Sequence, residues 1–182
     1  MNEMLKIVQK IEIVAFDVDG VLTDGSITYT DNGSEIKTFS AKDGQGMVML
    51  VREGLITAII TARDSKIVDL RAKELGVTHV YQGCKNKTAA IQELVELYSV
   101  DNSNVAYMGD DLPDLCVLEK VGFACCPADA VDEVKGICHY VAKKGGGKGA
   151  VREMTDIIIK TKKQKENHIV GGGGVSLPSF KK

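Results

Sequence analysis

The chain has 182 residues, 44% of them apolar, and its 23 Lys and Arg nearly balance 25 Asp and Glu, leaving a formal charge of −2. That length is about one domain's worth, with apolar side chains enough for a core that needs no disulfide or metal staple. The charge balance excludes bulk binding to a nucleic-acid backbone or an anionic membrane surface, and the apolar runs are too short for a transmembrane helix. Glu3, Lys6, Lys10 and Glu12 interrupt the start of the chain, which argues against a secretory leader. Cys84, Cys116, Cys125, Cys126 and Cys138 are odd in number and lack paired metal-ligand spacing. They are expected to be reduced thiols of a cytoplasmic protein.

In chain order, the β-branched run 11–16 (IEIVAF) predicts a first strand. Residues 26–30 and 35–39 flank Asp31-Asn32-Gly33-Ser34, and the Asn-Gly pair predicts a hairpin directly after that strand. Gly44 and Gly46 are expected just ahead of a helix. Strands follow at 56–60, 79–81, 104–108 and 122–125, where Cys125 and Cys126 face opposite ways, one toward the core and the other near the sheet edge. Between the strands, Ser65 can cap a helix over 66–75 that Gly76 stops, and Asn86 can cap one over 87–98. Ile91, Leu94, Val95 and Tyr98 give the latter a single apolar face. Further helices are expected over 112–120, over 128–135, and from Gly149 to about Lys160. This alternation predicts an α/β fold around a parallel sheet, with a domain over 1–160. Residues 161–182, Lys-rich and then Gly-rich, are expected to be flexible or ordered only by a partner.

Two acidic clusters sit where such a fold places ligands, beyond the carboxyl ends of strands. The first strand ends in Asp17-Val18-Asp19-Gly20, and the fourth in Gly109-Asp110-Asp111-Leu112-Pro113-Asp114. Loop aspartates usually cap helices or form turns. Two clusters, each directly after an apolar strand, argue instead for one shared pocket. Carboxylates packed together repel unless a cation neutralises them, and a hard divalent ion such as Mg²⁺ suits an all-oxygen set. Asp17 and Asp110 are the candidate carboxylate ligands, with Asp19 contributing mainly its backbone carbonyl and Asp111 or Asp114 acting directly or through water. Thr61 and Arg63 end the second strand of the sheet, and Lys87 opens a helix with Lys85 just before it. A hydroxyl, cations and a helix N-terminus suit phosphoryl oxygens.

At these residues the sequence resembles the haloacid dehalogenase-type phosphatases, whose four motifs appear in order as Asp17-x-Asp19, Thr61, Lys87 and Gly109-Asp110-Asp111-x-x-Asp114. The resemblance implies a three-layer Rossmann-like fold and an Mg²⁺-dependent phosphoric monoester hydrolase. By the same resemblance Asp17 is the nucleophile that forms an aspartyl-phosphate, Asp19 the general acid and base, and Thr61 and Lys87 hold the transferred group. Finer stretches are similar to the capless branch acting on 3-deoxy-D-manno-octulosonate 8-phosphate in lipopolysaccharide synthesis. They are FDVDGVLTDG (16–25), Lys42-Asp43-Gly44-x-Gly46, Arg71-Ala72-Lys73-Glu74-Leu75-Gly76 and GGGKGAVRE (145–153). That branch forms homotetramers through the hairpin, and it implies Arg63, Arg71 and Lys148 as substrate-binding residues, partly across subunits. Ala62 departs from the branch, which usually has Gly there. The alternative is a nine-carbon sialic-acid-type 9-phosphate as substrate. Relatives of that kind tend to carry an acidic residue where Arg63 stands, so Arg63 favours the eight-carbon acid. A non-catalytic scaffold would be expected to have lost Asp17 or Asp19, and a phosphomutase would need a lid for which the chain has no insertion. His79, His139 and His168 are too scattered to suggest zinc.

Overall fold

The computed structural model describes residues 3–170, with side chains as far as residue 164. In chain order the elements are α1 (Glu3–Val8), β1 (Ile13–Phe16), β2 (Thr28–Tyr29), β3 (Glu35–Ile36), α2 (Ala41–Arg52), β4 (Ile56–Ile60), α3 (Lys66–Leu75), β5 (His79–Tyr81) and α4 (Lys87–Tyr98). They continue with β6 (Val105–Met108), α5 (Leu115–Leu118), β7 (Phe123–Cys126), α6 (Asp132–Ile137), β8 (Tyr140–Val141) and α7 (Ala150–Val170). One six-stranded sheet runs β5-β4-β1-β6-β7-β8, parallel throughout, and β2 and β3 form a separate antiparallel hairpin.

β1 is central and buried along its whole length, which is why its sequence is apolar without alternation. Val14 and Phe16 face a core closed by α1, α2, α3 and α7, whereas Ile13 and Ala15 face α4, α5 and α6. The result is three layers, helices on each side of the sheet, as the alternating pattern implies. Each fully buried Leu, Ile or Phe contributes about 1.5–3 kcal/mol by leaving water, so these two faces supply most of the driving force. No described helix is long and apolar enough to cross a membrane.

Several elements differ from the sequence expectation, each for a local reason. Gly44 and Gly46 lie inside α2 rather than ahead of it. A Cβ at Gly44 would come 2.2 Å from Arg71 Nη2 and one at Gly46 would come 2.3 Å from Thr155 Oγ1, so the close packing of α2 on α3 and α7 needs the missing side chains. The expected helix at 112–120 is a 3₁₀ turn, Leu112–Asp114, followed by the short α5, because Asp114 folds its carboxylate back onto the backbone N–H groups of Asp110 and Asp111. α6 starts at Asp132, later than expected, since Val131 N–H is donated to the Asp110 carbonyl. β8, only two residues long, gave no sequence signal. Cys125 and Cys126 do face opposite sides, but both are fully buried, because β8 covers the edge that one of them was expected to occupy. α7 continues past Lys160 to Val170, since Ile158, Ile159 and Thr161 are still buried there. The boundary expected at 160 therefore falls within a helix, and residues 171–182 of the expected tail lie outside the described residues.

Candidate active site

β4, β1 and β6 are neighbours and parallel, so their carboxyl ends deliver Thr61, Asp17 and Asp110 to one edge of the sheet. These three, with Asp19, Arg63 and Lys87, line a cavity of about 260 Å³. Thr61 is held by its backbone, N–H to the Tyr81 carbonyl and C=O from Cys84 N–H. Its Oγ1 accepts weakly from Arg63 N–H at 3.4 Å, so the hydroxyl proton remains to be donated into the cavity. The loop leaving β1 turns sharply at Gly20, which has φ +86° and lies against Asp110.

Lys87 is the first residue of α4, and the Asn86 side chain caps that helix by accepting from Ala89 N–H. The Lys87 ammonium, 4% exposed, lies 2.9 Å from Asp17 Oδ2 and 2.7 Å from Asp114 Oδ1. Burial alone pulls its pKa down, but the two carboxylates outweigh that and raise it, so it stays charged. Asp114 Oδ1 also accepts from Tyr107 O–H at 2.7 Å, and Oδ2 accepts from the backbone N–H groups of Asp110 and Asp111 at 3.0 and 3.3 Å. All four lone-pair positions of Asp114 are thereby taken. Tyr107, buried in the middle of β6, was not expected from the sequence. A tyrosine within an otherwise apolar strand is the available signal, since a buried phenol needs a partner.

Asp17, Asp110 and Asp114 bring oxygens within 4.8 Å of one another. Asp114 is satisfied without a cation, but Asp110 Oδ1 is buried with no hydrogen-bond partner. Burial, then the charges of Asp17, Asp114 and Asp111, push the Asp110 carboxyl up to about 7. Burial and Asp114 likewise push Asp17 up to about 6, against the pull of Lys87. An orphaned buried carboxylate oxygen beside a second destabilised carboxylate fits a hard divalent cation. Asp17 and Asp110 can hold such an ion directly. Asp114 orients their surroundings, and the exposed Asp111 serves as a turn cap by accepting from Leu112 N–H at 2.8 Å.

The hairpin closes the other side. Asp19 Oδ1 accepts from Lys37 Nζ, and its Oδ2 lies 3.6 Å from Arg63 Nε. Arg63 also donates to Glu35 Oε1 at 2.7 Å and to Tyr29 O–H at 3.0 Å, and Ser65 Oγ donates to Glu35 Oε2 at 2.7 Å. The hydrogen bond from Ser65, with Arg63 and Lys37, holds Glu35 below the usual carboxylate range. Sequence reasoning missed Lys37 and Glu35; their only signal was opposite charge two residues apart on an extended segment. Arg71 and Lys148 are not brought into this cavity. Arg71 lies 5.9 Å from the Phe39 ring centroid and 3.1 Å from Glu74, at the α2–α3 seam, and Lys148 is exposed on the 145–149 turn.

That glycine-rich turn packs against the loop that follows β1. Gly147 N–H donates to the Val21 carbonyl at 2.9 Å, and a Cβ at Gly146 would stand 1.9 Å from the Gly20 carbonyl oxygen. Two carboxylates pin the turn in place. Asp129 accepts from Gly146 N–H, and the buried Asp43 of α2 accepts from Gly149 and Arg152 N–H at 3.0 and 2.8 Å.

Comparison with known proteins agrees with this geometry. Residues 49–154 match the family described as haloacid dehalogenase-like hydrolase. The chain is 43% identical over 151 residues to 3-deoxy-D-manno-octulosonate 8-phosphate phosphatase KdsC of Escherichia coli (strain K12), covering 83% of this chain and 80% of that protein. It is 38% identical over 176 residues to the phosphatase of the same name from Yersinia pestis, covering 97% and 92%. Among solved structures, a 3-deoxy-D-manno-octulosonate 8-phosphate phosphatase from Moraxella catarrhalis, in complex with magnesium ion, phosphate ion and KDO, superposes with a TM-score of 0.88 at 40% identity, covering 93% of this chain and 98% of that one. The chain belongs to the haloacid dehalogenase-like hydrolases, in the family of the 3-deoxy-D-manno-octulosonate 8-phosphate phosphatases.

Proposed function

We propose that this chain is an Mg²⁺-dependent phosphoric monoester hydrolase that converts 3-deoxy-D-manno-octulosonate 8-phosphate to the free sugar acid and inorganic phosphate, for lipopolysaccharide synthesis. The observation that carries the reading is the pairing of Asp17 with Lys87 beside the orphaned Asp110, with Arg63 at the rim of the same cavity. Mg²⁺ held by Asp17, Asp110 and the Asp19 backbone carbonyl supplies charge neutralisation for the phosphoryl group.

The chain's own residues divide the remaining work. Lys87 keeps Asp17 oriented and balances the negative charge that gathers there as phosphate arrives. The Asp17 carboxylate attacks phosphorus in line, the bond to the sugar oxygen breaks, and Asp19 passes that oxygen its proton. In the second step water attacks phosphorus, Asp19 takes a proton from it, and the bond to Asp17 breaks to free phosphate. The Thr61 hydroxyl and the Lys87 ammonium hold phosphoryl oxygens through both steps. In this reading Arg63, whose side chain is 40% exposed at the rim, meets the carboxylate of the sugar acid.

The working form in this reading is a cytoplasmic homotetramer. Ile27, Tyr29 and Ile36 support association through the hairpin, since it leaves these large apolar side chains exposed. Arg71 and Lys148, outside their own chain's cavity, then reach substrate only across a subunit boundary. Reduced cysteines suit the cytoplasm, and all five are free thiols. The substrate is tested by a phosphate-release panel comparing octulosonate 8-phosphate, nonulosonate 9-phosphates and simple sugar phosphates with Mg²⁺ present. The eight-carbon acid should be hydrolysed with the highest kcat/KM. Preference for a nine-carbon compound would overturn the substrate, and release from none would overturn the enzyme.

A further inference from the structure

Beyond the assembly role proposed for it, the hairpin sends a lysine to the reacting centre. The Lys37 side chain is 2% exposed, and its ammonium meets Asp19 Oδ1 with Glu35 Oε1 3.4 Å away. A lysine is seldom so deeply buried, and here the cost of desolvation is offset by two carboxylates it could have met more cheaply at the surface. The contact commits one Asp19 oxygen and leaves Oδ2 without a hydrogen bond, 3.6 Å from Arg63 Nε. Glu35 then joins Lys37 to Arg63, since the same Oε1 lies 2.7 Å from Arg63 Nη2. Two catalytic-loop neighbours from different strands are thus fixed by one element of the hairpin.

We propose that Lys37 is a positioning residue for proton transfer. By holding Oδ1 it fixes the Asp19 carboxyl in one rotamer and presents Oδ2 to the leaving oxygen, and through Glu35 it sets the arginine at the rim. The inference rests on the reading of Asp19 as general acid and base.

Leaving-group dependence separates this from a structural role. A sugar alkoxide needs a proton to depart, whereas p-nitrophenolate leaves without one. With Mg²⁺ present, Lys37→Met should lower kcat on octulosonate 8-phosphate by roughly 10²-fold but on p-nitrophenyl phosphate by less than about 3-fold. Lys37→Arg should recover part of the lost rate. Asp19→Asn is the reference and should show the same split, larger. Lys37→Gln loses the charge and ends one atom short of the ammonium, and carries the same test if Lys37→Met does not fold. Equal losses on both substrates, or no loss on either, would overturn the inference. A split in Asp19→Asn without one in the Lys37 variants overturns the inference alone. No split in Asp19→Asn overturns the acid assignment and the inference with it.

Discussion

Lys87 donates a 2.7 Å hydrogen bond to Asp114 from an ammonium that is 4% exposed, so the cation lies beneath the active site rather than at its mouth. Replacing it with methionine leaves Asp17 and Asp114 buried together with no cation between them. Lys87→Met should destabilise the fold by about 3–5 kcal/mol in urea unfolding, the usual cost of breaking a buried pair from one side. Its kcat should fall by at least roughly 10²-fold at temperatures where circular dichroism shows a native fold. Tyr107→Phe, which removes one of four donors to Asp114, should cost only about 1–2 kcal/mol.

The carboxyls of Asp17 and Asp110, at about 6 and 7 when folded against 3.8 otherwise, make the metal-free protein sensitive to pH in an unusual direction. Between about pH 4 and 7 the folded chain holds protons that the unfolded chain has released, so stability falls as pH rises through that window. In EDTA, Tm at pH 5 should exceed Tm at pH 8 by roughly 4–8 °C. Saturating Mg²⁺ should reverse the slope, because protons then compete with the ion for the same oxygens. A metal-free Tm that climbs with pH would contradict the assigned burial.

Gly20 offers a way to disturb the ion site without replacing a ligand side chain. A Cβ there would stand 1.9 Å from Asp110 Oδ2, on a backbone with φ +86° that other residues rarely adopt. Gly20→Ala should weaken Mg²⁺ binding by roughly 10–100-fold in calorimetric titration, with the far-UV spectrum unchanged.

In the proposed reading the choice of sugar acid rests on Arg63. In Arg63→Glu a carboxylate would face Glu35 and Asp19, which the guanidinium now joins. The kcat/KM for octulosonate 8-phosphate should drop by roughly 10²-fold, and the eight-to-nine-carbon ratio should shift toward nine. An unchanged ratio in the substrate panel would remove Arg63 from specificity.

The residues legible in the sequence are those set by the ends of strands. Asp17, Thr61 and Asp110 each follow an apolar run, and a parallel sheet has one edge to send them to. Lys87 was legible because Asn86 marks a helix start. Lys37 was not, since its partner Asp19 lies across a reversal of the chain whose depth no local pattern specifies. Tyr107 was masked by its apolar neighbours. The start of α2 was placed too late because of Gly44 and Gly46, whose poor helix propensity is overridden by close packing on Arg71 and Thr155. The end of α7 was placed too early because lysines beyond 160 read as solvated, although Thr161 is still covered.

The hydrogen bond from Gly147 to Val21 gives the site a timetable. β1, β4 and β5 leave the ribosome early, carrying Asp17, Asp19 and Thr61, and Asp110 follows with β6. The loop bearing Asp17 and Asp19 lacks this brace until the 145–149 turn has been made and Asp43 and Asp129 have caught it. A chain halted before that turn would hold every reacting carboxylate and still lack a finished active site. The finished site therefore depends on a segment far along the chain from the loop it supports.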